Sequence, residues 1–150
     1  MSKQVVLFLS GPNLGLLGVR QPEIYGSASL ADHIERARAC ARQHKLILEH
    51  VQSEHEADLV RAVHQGMGRV AAIVVNAGAL SHYGWSLHDA LACFQGVVVE
   101  LHLSNPDARE PWRHHSVISP VADGTVSGFG GLGYELAVEA ASRLIDARRA

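Results

Sequence analysis

Lysine is nearly absent from this chain. Lys3 and Lys45 are its only lysines. One is near the amino terminus and the other lies where a second strand is expected to begin. Schiff-base chemistry therefore has no side chain to use at a strand's carboxyl end. Cysteine is equally sparse. Cys40 and Cys93 fall in segments that read as helices, which favours two small buried hydrophobes over a disulfide or a reactive thiol. The only basic run is Arg148-Arg149, and a formal net charge of −2 leaves no electrostatic footprint for nucleic acid. No apolar stretch approaches the length of a membrane span. The run after Lys3, Val5 to Leu9, is too short for the hydrophobic region of a signal peptide. Repeats, linkers and low-complexity segments are missing too. These exclusions leave a soluble, cytoplasmic protein acting on a small molecule as the expectation.

What is present suits one domain spanning 1–150, since 150 residues suffice for a single full core and 47% of them are hydrophobic. Val5 to Leu9 is an unbroken apolar run that breaks at Ser10-Gly11-Pro12, as a buried parallel strand does. Residues 11–28 then form a loop much longer than an ordinary connection, and such loops are usually functional. Ser29 to Asp32 is a capping box opening a helix to about His44. A strand over Leu46 to Val51 and a helix capped by Ser53 to Glu56, ending near Gly66 and Gly68, come next. A strand over Val70 to Val75 turns at Asn76 to Gly78, before a helix over about Trp85 to Phe94. Val97 to Leu101 is a fourth strand. Short strands are expected near Val117 to Ser119 and Thr125 to Phe129, and a last helix from about Gly133 to Arg148. Strands alternating with helices predict a flavodoxin-like α/β domain, a doubly wound parallel sheet with helices on both faces. Ligands in such sheets sit beyond the strands' carboxyl ends where strand order reverses. Chemistry is therefore to be sought after residues 9, 75 and 101.

Polar residues gather at those places. Glu100 and His102 share one face of a strand end, and a carboxylate beside an imidazole orients it as a general acid near neutral pH. A structural histidine satisfied by its neighbour fits the pair equally well. A metal pair fits less well, because no third ligand with familiar spacing lies nearby. In the long loop, Arg20 and Tyr25 lie between Gly18 and Gly26, which suits a hinged lid. A guanidinium beside a phenol favours the phenolate, a base able to take a carbon-bound proton. Against this stands a plain surface loop, with Glu23 neutralising Arg20. Gly11-Pro12-Asn13 matches neither the dinucleotide fingerprint nor the P-loop. Asn76 and His82 follow the third strand and suit hydroxyls or a carboxylate on a small ligand, or an ordinary turn with a helix cap. Arg109 and Arg113 follow Leu103-Ser104-Asn105, where turn N–H groups and a guanidinium are a usual carboxylate clamp. His114-His115 reads as exposed loop.

Taken in order over nearly the whole chain, these segments resemble the type II 3-dehydroquinate dehydratases. The matching stretches are 11–14, 20–26, Gln52-Ser53, 76–78, His82, 100–105, 108–110, 113–116, 128–130 and Gly133-Tyr134. Each alone is weak and their joint occurrence is specific. The resemblance implies a flavodoxin-like fold, trimers assembled into a dodecamer, and reversible loss of water from 3-dehydroquinate to give 3-dehydroshikimate. It implies no metal and no organic cofactor. It makes Tyr25 the base, with Arg20 keeping it deprotonated. A water near Asn13 stabilises the enolate, and His102, oriented by Glu100, is the acid. It assigns substrate binding to Asn76, His82 and Arg113, and the substrate carboxylate to Leu103 and Ser104, largely through their N–H groups. Arg109 becomes a lid or loop anchor, and Asp89 a group brought in from a neighbouring subunit.

Three departures from the family pattern stand out. Ser10 replaces an Asn, His88 replaces an Arg beside Asp89, and Tyr83 and Trp85 replace small residues after His82. The last two motivate a competing reading, a paralogue acting on another polyhydroxy acid. A third reading, a non-enzymatic flavin carrier or signalling receiver, is disfavoured for the receiver because Ser10 to Asn13 lacks an acidic cluster.

Overall fold

In the computed structural model, which describes residues 2–150, one sheet holds five strands. They are β1 (Val5–Ser10), β2 (Ile47–Gln52), β3 (Ala72–Asn76), β4 (Val97–His102) and β5 (Gly124–Ser127). Their order is β2-β1-β3-β4-β5 and every pairing is parallel. This is the doubly wound sheet expected. Strand order reverses between β1 and β3, so the loops leaving them diverge and open a crevice.

Five helices accompany the strands: α1 (Pro22–Tyr25), α2 (Leu30–Gln43), α3 (Glu56–Gly66), α4 (Trp85–Cys93) and α5 (Leu132–Arg149). The two-residue period of the strands divides their apolar side chains between two cores. Val6 and Phe8 of β1, with Val74, Val99 and Leu101, pack on Ile34 and Ala37 of α2 and on Tyr134, Val138 and Ala141 of α5. Leu7 and Leu9, with Ile73, Val75 and Val98, meet Leu59 and Val63 of α3 and Leu87 and Leu91 of α4. Burying each aliphatic side chain contributes about 1.5–3 kcal/mol. That double layer fixes the strand ends from which the site is built. Among the described residues no helix is long and apolar enough to cross a membrane.

The Ser29 capping box forms as expected: Ser29 Oγ accepts from the Asp32 N–H at 3.1 Å, and Asp32 Oδ2 accepts from the Ser29 N–H at 2.9 Å. Ser53 does not cap α3 directly. His55 holds the cap position, while Ser53 Oγ accepts the His55 N–H at 3.0 Å and donates to Asp58 at 2.6 Å. Glu56, in the first turn of α3, reaches across to accept the Leu87 N–H at 3.0 Å, and so caps α4 in place of a local side chain.

Three further expectations need correction. The strand near Val117 to Ser119 does not form. Val117 and Ile118 are core residues carried by a loop, followed by a single 3-10 turn over Ser119–Val121. Pro120 lacks the N–H a ladder needs, and the Val117 N–H goes to the Ser81 carbonyl at 2.7 Å. The long loop 11–28 is not wholly irregular, since it holds a 3-10 turn over Leu14–Leu16 and the one-turn α1. Of the two cysteines, both free, Cys40 is partly buried but Cys93 is exposed. Its place at the end of α4 turns it away from the core.

Candidate active site

The carboxyl ends of β1, β3 and β4 deliver three loops to one cavity. Asn13, Arg20 and Tyr25 enter it from the first loop, Asn76 and His82 from the second, and His102, Leu103, Ser104, Arg109 and Arg113 from the third. Residues 9, 75 and 101 were the expected departure points, and the polar groups after each converge. A larger, open cleft of about 560 Å³ lies at the strands' amino ends, among Lys3, Arg69, Phe94 and Gln95. It gathers no acid–base pair, so the chemistry belongs to the smaller cavity.

At the end of β4, Glu100 is 1% exposed and His102 Nε2 lies 2.7 Å from Glu100 Oε2. A carboxylate oxygen accepts, so Nε2 carries a proton and the other ring nitrogen is left free. Ser116 donates to the same oxygen at 2.6 Å. Ser119 donates to Oε1, and Thr125 of β5 reaches it at 3.3 Å. Burial works to raise the Glu100 carboxyl. Hydrogen bonds from His102, Ser116 and Ser119, together with the imidazole's charge, outweigh it and hold the carboxyl below its usual range. Glu100 lies behind His102: it is absent from this cavity's lining and lines an adjoining one that shares His82, His102 and Arg113.

Tyr25 closes α1, which buries none of its residues, although the Tyr25 ring packs partly against the α2 and α5 core. Arg20 Cζ lies 5.1 Å from the ring centroid and Arg109 Cζ 5.2 Å from it. Arg109 also donates to Ser104 Oγ at 3.2 Å, and its carbonyl accepts from His114 at 3.0 Å. The loop-anchor expectation thus extends to a second cation on the tyrosine. Glu23 was the alternative partner for Arg20, and among the described residues no ion pair joins them.

Asn76 is 4% exposed and its Oδ1 accepts the Gly78 N–H at 3.3 Å, which presents its amide nitrogen. His82 Nδ1 donates to the His115 carbonyl at 2.7 Å and its ring meets Trp112 edge to face. Arg113 is held by Glu110 and lies over Trp112, its Cζ 4.0 Å from the ring centroid. Anionic and hydroxyl-bearing ligands suit this set. Asp89 is exposed on α4 and does not line the cavity of its own chain.

Neither do Tyr83 and Trp85, which are 60% and 58% exposed. Trp85 instead meets His88 edge to face, and His88 Nδ1 donates to the Val117 carbonyl at 2.6 Å. Ser10 is buried and pairs with His50 Nε2 at 2.9 Å. Burial, and to a lesser degree Arg38, pushes the His50 imidazole down to about 4.

The class II dehydroquinase family model matches residues 4–142. The chain belongs to the class II dehydroquinases. It is 49% identical over 134 residues to 3-dehydroquinate dehydratase 1 of Corynebacterium efficiens, covering 89% of each chain. To a 3-dehydroquinate dehydratase of Vibrio cholerae it is 43% identical over 148 residues, covering 99% of each. The crystal structure of a type II dehydroquinase from Butyrivibrio crossotus superposes with a TM-score of 0.90 at 32% identity, covering 93% of this chain and 98% of that one. A class II dehydroquinase fold therefore carries the cavity, and the match runs through every segment that lines it.

Sequence reasoning missed the groups that act from behind the cavity. Ser116, Ser119 and Thr125 surround Glu100, and Glu54, held by Gln52, reaches Asn13. The only signal for them was Ser116 and the Gln52-Ser53 pair inside family-like stretches, which pointed to no role.

Proposed function

We propose that this chain eliminates water from 3-dehydroquinate to give 3-dehydroshikimate through an enolate, with Tyr25 as base and His102 as acid. One observation carries the reading: a tyrosine between two guanidinium groups and a histidine backed by a buried carboxylate line the same cavity. A dehydroquinase needs that pair of opposite roles.

The tyrosinate takes a proton from the carbon beside the ketone. The electron pair moves onto the ketone oxygen, and a water near Asn13 stabilises the resulting enolate. Collapse of the enolate breaks the bond to the hydroxyl, which leaves as water with the proton given by His102. Each turnover moves one proton onto Tyr25 and one off His102, and return of a proton between them through solvent resets the pair. Glu100 fixes the ring through its hydrogen bond to His102 Nε2. Arg20 and Arg109 bring positive charge to the base. Asn76, His82 and Arg113 bind the ring hydroxyls and carboxylate, with the N–H groups of Leu103 and Ser104 completing the carboxylate site. Nothing in these steps needs a metal or organic cofactor.

Asp89 faces solvent on α4, and we assign it to the cavity of a neighbouring subunit in a trimer, four trimers forming a dodecamer. A cytoplasmic enzyme of aromatic biosynthesis or quinate breakdown fits this chemistry. Tyr83 and Trp85 lie away from the cavity lining, so the residues that favoured a different substrate give it no support.

The test is the rise in ultraviolet absorbance as the conjugated enone forms from dehydroquinate, in the presence of a chelator. Tyr25→Phe keeps the ring and removes the oxygen, so kcat should fall at least about 10³-fold, within the range of acid–base contributions, with the fold intact. Full activity in Tyr25→Phe refutes the assignment of the base.

A further inference from the structure

Asn13 stands in an unusual backbone conformation at the mouth of β1. Its φ is 68° and ψ −2°, the left-handed region that asparagine tolerates better than most residues. Its backbone N–H points away from the cavity, to Glu54 Oε2 at 2.8 Å. The other oxygen of Glu54 accepts from Gln52 Nε2 at 2.8 Å, and the same Gln52 nitrogen donates to the Gly11 carbonyl at 3.3 Å. Four residues, two from the loop after β1 and two from the end of β2 and the loop beyond it, thus form one run of hydrogen bonds, from Gly11 through Gln52 and Glu54 to Asn13.

We infer that Gln52 and Glu54 are positioning residues that clamp the Gly11-Pro12-Asn13 turn and so aim the Asn13 side chain into the cavity. This rests on the role given to Asn13 above. The donor count makes the clamp specific. Gln52's amide nitrogen has two hydrogens, one for the Gly11 carbonyl and one for residue 54. The Asn13 N–H supplies a third donor. Residue 54 must therefore offer two acceptor atoms at once. A carboxylate does; the amide of a glutamine offers one, and its NH₂ would face a donor. An aspartate has the two oxygens but is one methylene shorter. The Asn13 N–H and the Gln52 amide also hold the Glu54 carboxyl below its usual range, so it stays an acceptor at neutral pH. Glu54 lines no part of the cavity, which means any effect on turnover travels through Asn13.

The test compares wild type, Glu54→Gln, Gln52→Ala and the double variant in the dehydroquinate assay, with thermal unfolding alongside. Asn13 acts on the enolate and not on bound substrate. Each single variant should therefore lower kcat by about tenfold, the scale of a catalytic group displaced by less than an ångström. KM should stay within about twofold and the unfolding midpoint unchanged. The double variant should be no slower than the slower single one, because both break one clamp. Unchanged kcat in Glu54→Gln overturns the inference. So does a double variant whose losses multiply, or a parallel fall in kcat, affinity and unfolding midpoint, which marks general loosening. Wild-type chain without turnover instead removes the proposed elimination, and the aimed asparagine with it.

Discussion

Replacing Glu100 by glutamine removes one charge and leaves the shape of the side chain unchanged. In the wild type both carboxylate oxygens are used: His102 and Ser116 donate to Oε2, Ser119 and Thr125 to Oε1. Serine and threonine hydroxyls can turn and accept from an amide, so the fold survives the change. The imidazolium keeps an acceptor in the amide oxygen but loses the negative charge 2.7 Å away. A hydrogen bond to a charged group contributes about 1.5–3 kcal/mol and one between neutral groups about 0.5–1.5 kcal/mol, a difference of about 1–1.5 kcal/mol. Realised at the acid step, that is a fall in kcat of about 5- to 12-fold, at about 1.36 kcal/mol per factor of ten. KM should move less than about twofold, because Glu100 does not line the cavity. The assay is initial-rate enone absorbance at pH 7 against dehydroquinate concentration, with circular dichroism to confirm folding. Because Glu100's carboxyl lies below its ordinary range, wild type is ionised there and the comparison is of a carboxylate with an amide. A folded Glu100→Gln enzyme with kcat within threefold of wild type would refute the orienting role.

Two further predictions concern stability. His50 sits neutral against Ser10 with its folded value down at about 4, while in the unfolded chain it titrates near 6.5. The unfolded state thus binds the extra proton first, and stability contributed above pH 6.5 is lost as pH falls toward 4, by about 1–3 kcal/mol. Urea titrations should show that decline, and His50→Gln should flatten it; an unchanged slope counts against the assignment. Gly11→Ala would place a Cβ 2.3 Å from the Ala77 carbonyl oxygen and 2.6 Å from its carbon, both backbone atoms that cannot swing aside. Unfolding free energy should fall by about 3 kcal/mol, with turnover lost because the turn carrying Asn13 is bonded to the Asn76 carbonyl at this junction. A variant as stable as wild type shows the junction to be loose.

The fold was legible where local pattern and burial agree. Val5 to Leu9 and Val97 to Leu101 had to be central strands, and the Ser29 box could open only a helix. Val117-Ile118 was misread because a short apolar pair buried by a loop looks the same as one buried by a strand. In the site, Tyr25, His102, Asn76 and Arg113 could be found because parallel topology sends strand-end residues to one place. The meeting of Arg109 with Tyr25, or of Glu54 with Asn13 across 41 residues, depends on how loops settle against each other. No period or spacing in the chain encodes that.

α1 is a single turn with nothing buried except, in part, the ring at its end. The side chain proposed as the base is thus also the fastener of the flap that carries it. Truncating Tyr25 to alanine would unpin the segment and remove the oxygen together, so a dead alanine variant identifies no base. Evolution faces the same bind: a base proposed at this place cannot migrate along the loop unless a second ring first takes over as the pin.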